Sequence, residues 1–267
     1  MNNTIIQIQN VQKKFLSKHI EIPAIADVSF DVIDKEFIVI MGPSGCGKST
    51  LLKLMAGLET PSAGVLNICG NDCCTAYPSD MKKRIGFMYQ NENLLPWRTV
   101  EKNLRLPFEV FKTLNTHTPR RISDMLELVG LSEYSDVMPN ELSGGMKQRV
   151  GIARALVCNP DIVLMDQPFG ALDAITRKML SFDFLNIWKK TQKTFVMTTN
   201  NVDEALLCGS RIVFLTEAPA RVQEIIEVDI PLAQRDEQMQ FLPRYWELRK
   251  LAQSLAKPKD IMKGSAM

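Results

Sequence analysis

Histidine is scarce in this chain, with His19 and His117 the only imidazoles among 267 residues. The six cysteines, Cys46, Cys69, Cys73, Cys74, Cys158 and Cys208, stand singly or as an adjacent pair and never at C-x-x-C spacing. That pattern argues against a zinc site and reads as reduced thiols serving as small apolar residues. Long apolar runs are missing: FIVIM at 37–41 and IVLM at 162–165 fall far short of the roughly 20 residues a membrane-spanning helix needs. The opening MNNTIIQIQN has neither the basic start nor the apolar core of a signal peptide, so a soluble, cytosolic chain is expected, with any membrane contact made through a partner. An excess of one charge is also lacking. With 32 basic and 30 acidic residues the net charge is +2, which disfavours a nucleic-acid partner. No internal repeat or low-complexity segment is visible.

What is present is enough apolar residue, 45%, for a substantial core in one large domain or two small ones. IIQIQNVQKKF alternates apolar and polar residues and AIADVSFDV follows Pro23, predicting half-buried strands in an antiparallel opening. KEFIVIMGPSGCGKSTLLKLMAGL predicts a buried strand, a glycine-rich turn and a helix from about Lys48 to near Gly57. A short strand is expected in VLNICG and another in KKRIGFMYQ, ending at Gln90. From Asn91 to about Pro160 the periodicity turns helical, with Pro107 and Pro119 read as interruptions. DIVLMD and TFVMTTN are expected as buried strands on either side of the helical ITRKMLSFDFLNIWKKT. DEALLCG reads as a short helix closed by Gly209, and RIVFLTE as the last strong strand. Strands alternating with helices predict an α/β fold with a mainly parallel sheet covered on both faces. Beyond Pro231 the chain is charged and helical to about 262, the terminal GSAM reads as frayed, and no second C-terminal domain is expected.

Three motifs carry chemistry. Gly42, Pro43, Ser44, Gly45, Cys46, Gly47, Lys48, Ser49 and Thr50 fit G-x-x-x-x-G-K-[ST] between a strand and a helix. Such a loop turns backbone N–H groups toward phosphate oxygens at a helix N-terminus, with Lys48 reaching the β- and γ-phosphates and the Ser49 hydroxyl ligating Mg²⁺. Asp166 ends an apolar strand where a Mg²⁺-holding carboxylate belongs; taken alone it reads equally as a cap or turn residue. The third is Leu142-Ser143-Gly144-Gly145-Met146-Lys147-Gln148-Arg149, a Ser-Gly-Gly turn shortly before that strand.

With these motifs in this order, the chain from about Ile5 to Leu251 resembles the ATP-binding subunit of ABC transporters. The resemblance implies a P-loop core with an antiparallel β-subdomain and a helical insertion, forming one nucleotide-binding domain over 1–267 with its helical part at about 91–160. It implies that ATP and Mg²⁺ are bound, and that Ser143, Gly144 and Gly145 face the nucleotide of a second ATP-binding subunit, alike or unlike. Gln90 matches the Q-loop residue that senses Mg²⁺ and the attacking water. Leu94, Leu95, Pro96 and Trp97 form either the cleft for a membrane permease's coupling helix or part of the helical core. Phe15 stands where an aromatic stacks on adenine, or is a core residue. Asp173 matches the D-loop, which crosses the dimer interface.

Two positions depart from the family pattern. Gln167 stands in place of the catalytic glutamate and Asn200 in place of the switch histidine, followed by Asn201 where an acidic residue is usual. An amide positions water but accepts no proton, so ATP binding is expected to survive while hydrolysis slows by ~10²- to 10⁴-fold. The pair is consistent with the degenerate half of a heterodimer, with a slow homodimer, or with a Gln167 introduced to trap ATP. PWRTVEKNL, MDQPFGALDAITR and VDEALLCGSRIVFL resemble importers of nitrate, sulfonate, taurine and bicarbonate. That implies permease and solute-binding partners at the cytoplasmic face of a membrane. A non-transport regulatory ATPase and a protein that holds ATP as a structural ligand are the competing readings.

Overall fold

In the computed structural model, residues 3–17, 20–75, 77–78, 80–91, 93–170 and 172–256 are described. Apolar alternation at the start yields two long strands, β1 (Thr4–Ser17) and β2 (Ile20–Ile33), paired antiparallel with Ile8 opposite Phe30. Ile6, Ile8 and Val11 are all buried although strict alternation would turn Val11 outward. A register shift between Ile8 and Val11, with Asn10 at φ 49°, supplies the extra residue that restores the apolar face.

The chain continues through β3 (Phe37–Met41), α1 (Lys48–Met55), β4 (Ala63–Ile68), β5 (Asn71–Asp72), α2 (Met81–Arg84) and β6 (Ile85–Met88). The helical stretch comprises α3 (Val100–Val110), α4 (Thr118–Leu128) and α5 (Gly144–Leu156). Then follow β7 (Ile162–Asp166), α6 (Ala174–Thr191), β8 (Thr194–Thr199), α7 (Val202–Cys208), β9 (Arg211–Leu215), β10 (Ala220–Glu227) and α8 (Pro243–Ala256).

Among the described residues all ten strands join one sheet in the order β5-β4-β1-β2-β10-β9-β3-β8-β7-β6. The run from β9 to β6 is parallel, whereas β1, β2, β4 and β5 pair antiparallel. In the parallel part the inner strands β3, β7 and β8 are buried on both faces, and their alternate residues feed two cores. Phe37, Val39 and Met41 pack with α6 and α7, while Ile38 and Ile40 pack with Leu51 and Met55 of α1.

Several expectations need correction. Pro107 lies inside α3, which runs on to Val110, and Pro119 sits in the first turn of α4, where a missing N–H costs nothing. Neither proline interrupts a helix. The strand before Gln90 ends at Met88, leaving Gln90 exposed in the following loop. RIVFLTE is not the last strand: β10 bridges the two halves of the sheet, antiparallel to β9 and parallel to β2 at Ala220 and Arg221. Gly209 follows α7 with φ −73°, so no left-handed turn requires it. Its need is space, since a Cβ there would lie 2.9 Å from the Ala205 carbonyl oxygen.

Toward the C-terminus, Tyr245, Leu248 and Ala252 of α8 join the core beside α7. Buried Arg235 donates to the carbonyls of Ile230, Val228 and Gly209 at 2.9, 2.8 and 2.6 Å, fastening the connecting segment. The helix expected to about 262 and the frayed GSAM end lie, past residue 256, outside the described residues. All six cysteines are free thiols. Among the described residues no helix is long and apolar enough to cross a membrane, and no group of three potential metal-ligating side chains occurs.

Candidate nucleotide site

The phosphate loop leaves β3 and opens α1, and its glycines answer to specific contacts. A Cβ on Gly42 would meet Cys46 Sγ at 2.9 Å, and one on Gly47, at φ 117°, would meet the Ala24 carbonyl at 2.9 Å. Both positions therefore exclude a side chain. Lys48 is 3% exposed and donates from Nζ to the carbonyl oxygens of Gly42 and Pro43 at 2.7 and 2.8 Å. Burial pushes its ammonium below the ordinary lysine range, opposed by Cys46 and Asp166. Ser44 and Gly45 are exposed, Ser49 and Thr50 half-buried, and no side chain caps α1 at Gly47. An ammonium and uncapped helix amides around a concave turn form a donor set suited to an anion.

Asp166 is buried at the end of β7, with Thr198 of β8 as its register partner. The Thr198 hydroxyl donates to Asp166 Oδ1 at 2.7 Å and accepts from the Gln167 amide at 3.0 Å. Its single proton is thus committed to the carboxylate. Gln167 itself adopts φ 45°, the left-handed region rare for a residue with a side chain. A Cβ on Gly170 would lie 3.4 Å from both the Gln167 carbonyl oxygen and Gln90 Nε2, so the missing side chain lets Gln90 approach the turn after β7. Asn200 Nδ2 reaches Ser44 Oγ at 3.5 Å, the outer limit of a hydrogen bond. Asn201 caps α7 by accepting from the Asp203 and Glu204 amides at 2.8 and 3.2 Å, a duty for which Asn and Asp serve equally.

Ser143, Gly144 and Gly145 form a second group. Ser143 caps α5 by accepting from the Met146 amide at 3.3 Å, and both Ser143 and Gly144 are exposed. A Cβ on Gly144 would stand 3.2 Å from Leu172 Cδ2, and one on Gly145 3.1 Å from Thr176 Cγ2. The turn therefore rests on the start of α6, where Asp173 accepts from the Ile175 and Thr176 amides at 3.1 and 3.0 Å and from the Thr176 hydroxyl at 2.7 Å. Phe15 is 37% exposed, which removes it from the core, and Lys13 Nζ lies 4.9 Å from its ring centre. It pairs with Ile22 on the strand whose Ala24 abuts Gly47, placing the ring on the hairpin that borders the phosphate loop.

Sequence reasoning missed two organising residues. Thr198 orients Asp166, and only the doubled threonine of TFVMTTN hinted at it. Asn103 is fully buried: its Oδ1 accepts from the Leu95 amide at 2.8 Å, and its Nδ2 donates to the Arg98 and Thr99 carbonyls at 2.9 and 3.0 Å. It holds the loop after Gln90 in shape. In that loop Leu94 packs against the core and Trp97 is 71% exposed, while the adjoining cleft is lined by Phe87, Tyr89, Leu106, Val110, Arg154 and Cys158.

Residues 25–170, more than half of the chain, match the ABC transporter family. The chain is 39% identical over 252 residues to the nitrate import ATP-binding protein NrtD of Synechococcus elongatus, covering 93% of this chain and 90% of that protein. It is 44% identical over 229 residues to NrtC of the same organism, covering 85% of this chain but only 34% of the relative, so it spans about a third of NrtC's length. To the aliphatic sulfonates import ATP-binding protein SsuB of Bacillus cereus it is 37% identical over 226 residues, covering 85% and 87%. Among solved structures, the dimer of MJ0796, a bacterial ABC transporter cassette, superposes with a TM-score of 0.74 at 33% identity, covering 85% of this chain and all of that one. A dimeric post-hydrolysis state of the same cassette bound to ADP and Pi gives 0.73 at 32%, with the same coverage. From the phosphate loop on α1 to the Ser-Gly-Gly turn on α5, and in sheet and helices alike, the chain belongs to the ABC transporter family.

Proposed function

We propose that this chain is the ATP-binding, energy-coupling subunit of an importer for a small anion or organosulfonate, folded as one nucleotide-binding domain with its helical part at about 91–160. The observation that carries the reading is the division of the site. The phosphate loop opens α1 and Asp166 ends β7, while Ser143 stands exposed at the start of α5, available as a half-site for another subunit's nucleotide.

Lys48 exchanges the Gly42 and Pro43 carbonyls for phosphate oxygens, and the α1 amides add partial positive charge. Phe15 offers a ring face to adenine. Ser49, Asp166 and the Gln90 amide oxygen are hard oxygen donors that fit Mg²⁺, and Thr198 keeps Asp166 turned for that task. When bound there, Mg²⁺ neutralises charge on the β- and γ-phosphates. Ser143 and the amides of Gly144 and Gly145 complete the opposing subunit's site, with Asp173 beside them, so ATP closes a dimer. That closure is passed to membrane permease subunits served by a solute-binding protein, through the cleft beside Tyr89 and Leu106, with the chain at the cytoplasmic face of the membrane.

Gln167 orients the attacking water without taking its proton, and Asn200 donates toward the γ-phosphate without a titratable ring. The chain's own site accordingly binds ATP well and turns it over slowly. Two different nitrate import ATP-binding proteins of one organism resemble this chain, which favours pairing with an unlike subunit that carries the faster site. Steady-state ATPase assays of the unaltered chain and of Gln167→Glu test the reading. Turnover is expected to rise about 10²-fold or more in the variant, and equal turnover in both would sink the claim that Gln167 limits hydrolysis.

A further inference from the structure

We infer that Arg177 and Glu204 are positioning residues that tie the D-loop to the switch position, so that subunit contacts at Ser143 and Asp173 shape this chain's own nucleotide site. The inference rests on the proposed ATP-closed dimer and adds the route by which one face informs the other.

The route is continuous. Gly144 and Gly145 lean on Leu172 and Thr176, with no room for a side chain that does not shift its neighbour. Arg177, one residue further on, turns back and donates from Nη2 to the Leu172 carbonyl at 2.8 Å. Its Nε lies 3.6 Å from Glu204 Oε1. The other Glu204 oxygen accepts a short hydrogen bond from the Thr199 hydroxyl, which in turn accepts from the Asn201 amide at 3.1 Å. Asn200 is thus clamped on both sides along the backbone, and its own amide reaches Ser44 of the phosphate loop. Movement of Leu172 is transmitted to Asn200 through one guanidinium and one carboxylate.

A purely structural role accounts poorly for this choice of residues. Glu204 is 7% exposed, and the buried Arg177 Nε has no hydrogen bond among the described residues. The Arg177 side chain is 31% exposed, so burying the Glu204 carboxylate beside it costs about as much as the pair returns, and apolar residues of similar volume commonly stabilise as well. What an apolar pair lacks is direction: it can hold neither the Leu172 carbonyl nor the Thr199 hydroxyl. Burial pushes the Glu204 carboxyl up, and the Thr199 hydrogen bond and Arg177 oppose that. The arginine therefore opposes that effect of burial as well as aligning the relay.

The test is ATP-driven association of the purified chain with its second subunit, a copy of itself or an unlike one, in Arg177→Met, Glu204→Gln and the double variant. Monomer ATP affinity and melting temperature are measured alongside. Arg177→Met is expected to weaken association roughly 10-fold while monomer ATP affinity stays within about twofold, and the double variant should be no worse than the worse single. Arg177→Lys, which keeps the charge but not the planar fork, should fall between; it carries the test if Arg177→Met does not fold. Unchanged association, additive losses, or ATP affinity and melting temperature falling in step with association would each overturn the inference. Failure of the unaltered chain to associate at all would instead overturn the proposed dimer.

Discussion

The turns at 42–47 and 143–145 are both glycine-rich and both open a helix, yet they use glycine in opposite ways. In the first, Gly47 adopts φ 117° against a backbone carbonyl, and the turn closes over a lysine that is 3% exposed. In the second, both glycines lie within α5, Ser143 supplies an ordinary N-cap, and the turn is exposed. The phosphate loop satisfies its charge within the chain and is preorganised for a ligand. The Ser-Gly-Gly turn spends its glycines on lying close to α6, leaving its helix end and hydroxyl facing outward. Under the proposed function one is a complete binding element and the other half of one.

Variants on the two sides should separate that contrast, the most severe being Lys48→Ala. It removes the only side-chain cation in the loop, and monomer ATP affinity is expected to fall roughly 100-fold, about 2.7 kcal/mol, by titration calorimetry. Loss of less than a few-fold would mean that the helix amides alone hold the phosphates. Next comes backbone strain. Gly47→Ala forces a Cβ to 2.9 Å from a carbonyl at φ 117° and should cost about 2 kcal/mol of stability. Gly144→Ala meets only the flexible end of Leu172 at helical φ, and should be neutral or slightly stabilising. Equal effects in thermal melts would erase the distinction between the turns.

Ser143→Asp retains an N-cap but presents negative charge outward. It should leave monomer ATP affinity within about twofold and weaken ATP-driven association by about 10-fold, as followed by light scattering. The smallest effect concerns Asp173, whose carboxylate is held below its ordinary range first by the Thr176 amide and then by the Thr176 hydroxyl. A depressed carboxylate stabilises the fold above its unfolded pKa, and the benefit is lost as pH falls through the folded value. Asp173→Ala should therefore melt slightly lower at neutral pH, with the gap closing in acid. A gap independent of pH would point to packing instead of charge.

How far these features were legible in sequence depended on how local their causes are. The strand, glycine turn and helix at 37–55 follow from neighbours in the chain, as do the caps at Ser143 and Asp173. Strand β10 escaped notice because ARVQEIIE buries only Ala220 and Ile226; it is half-exposed and stabilised by pairing with β9 and β2, which are distant in sequence. Asn103 looked like one more polar residue of a helix. Only in the folded chain does its amide meet the carbonyls at 95, 98 and 99.

The residues of the chain were enough to point to the kind of chemistry: a phosphate loop, a strand-end carboxylate, the amide of Gln167 beside it, and a Ser-Gly-Gly turn. These rest on backbone conformation and side-chain type, which are properties of short segments. Assembly by the tertiary structure was needed to place Thr198 under Asp166, Gln90 beside Gly170, Asn200 against Ser44, and Arg177 between Leu172 and Glu204. Each of these contacts, apart from the short step from Arg177 to Leu172, joins separate elements, so it depends on sheet order and helix packing and leaves no periodic trace in the sequence.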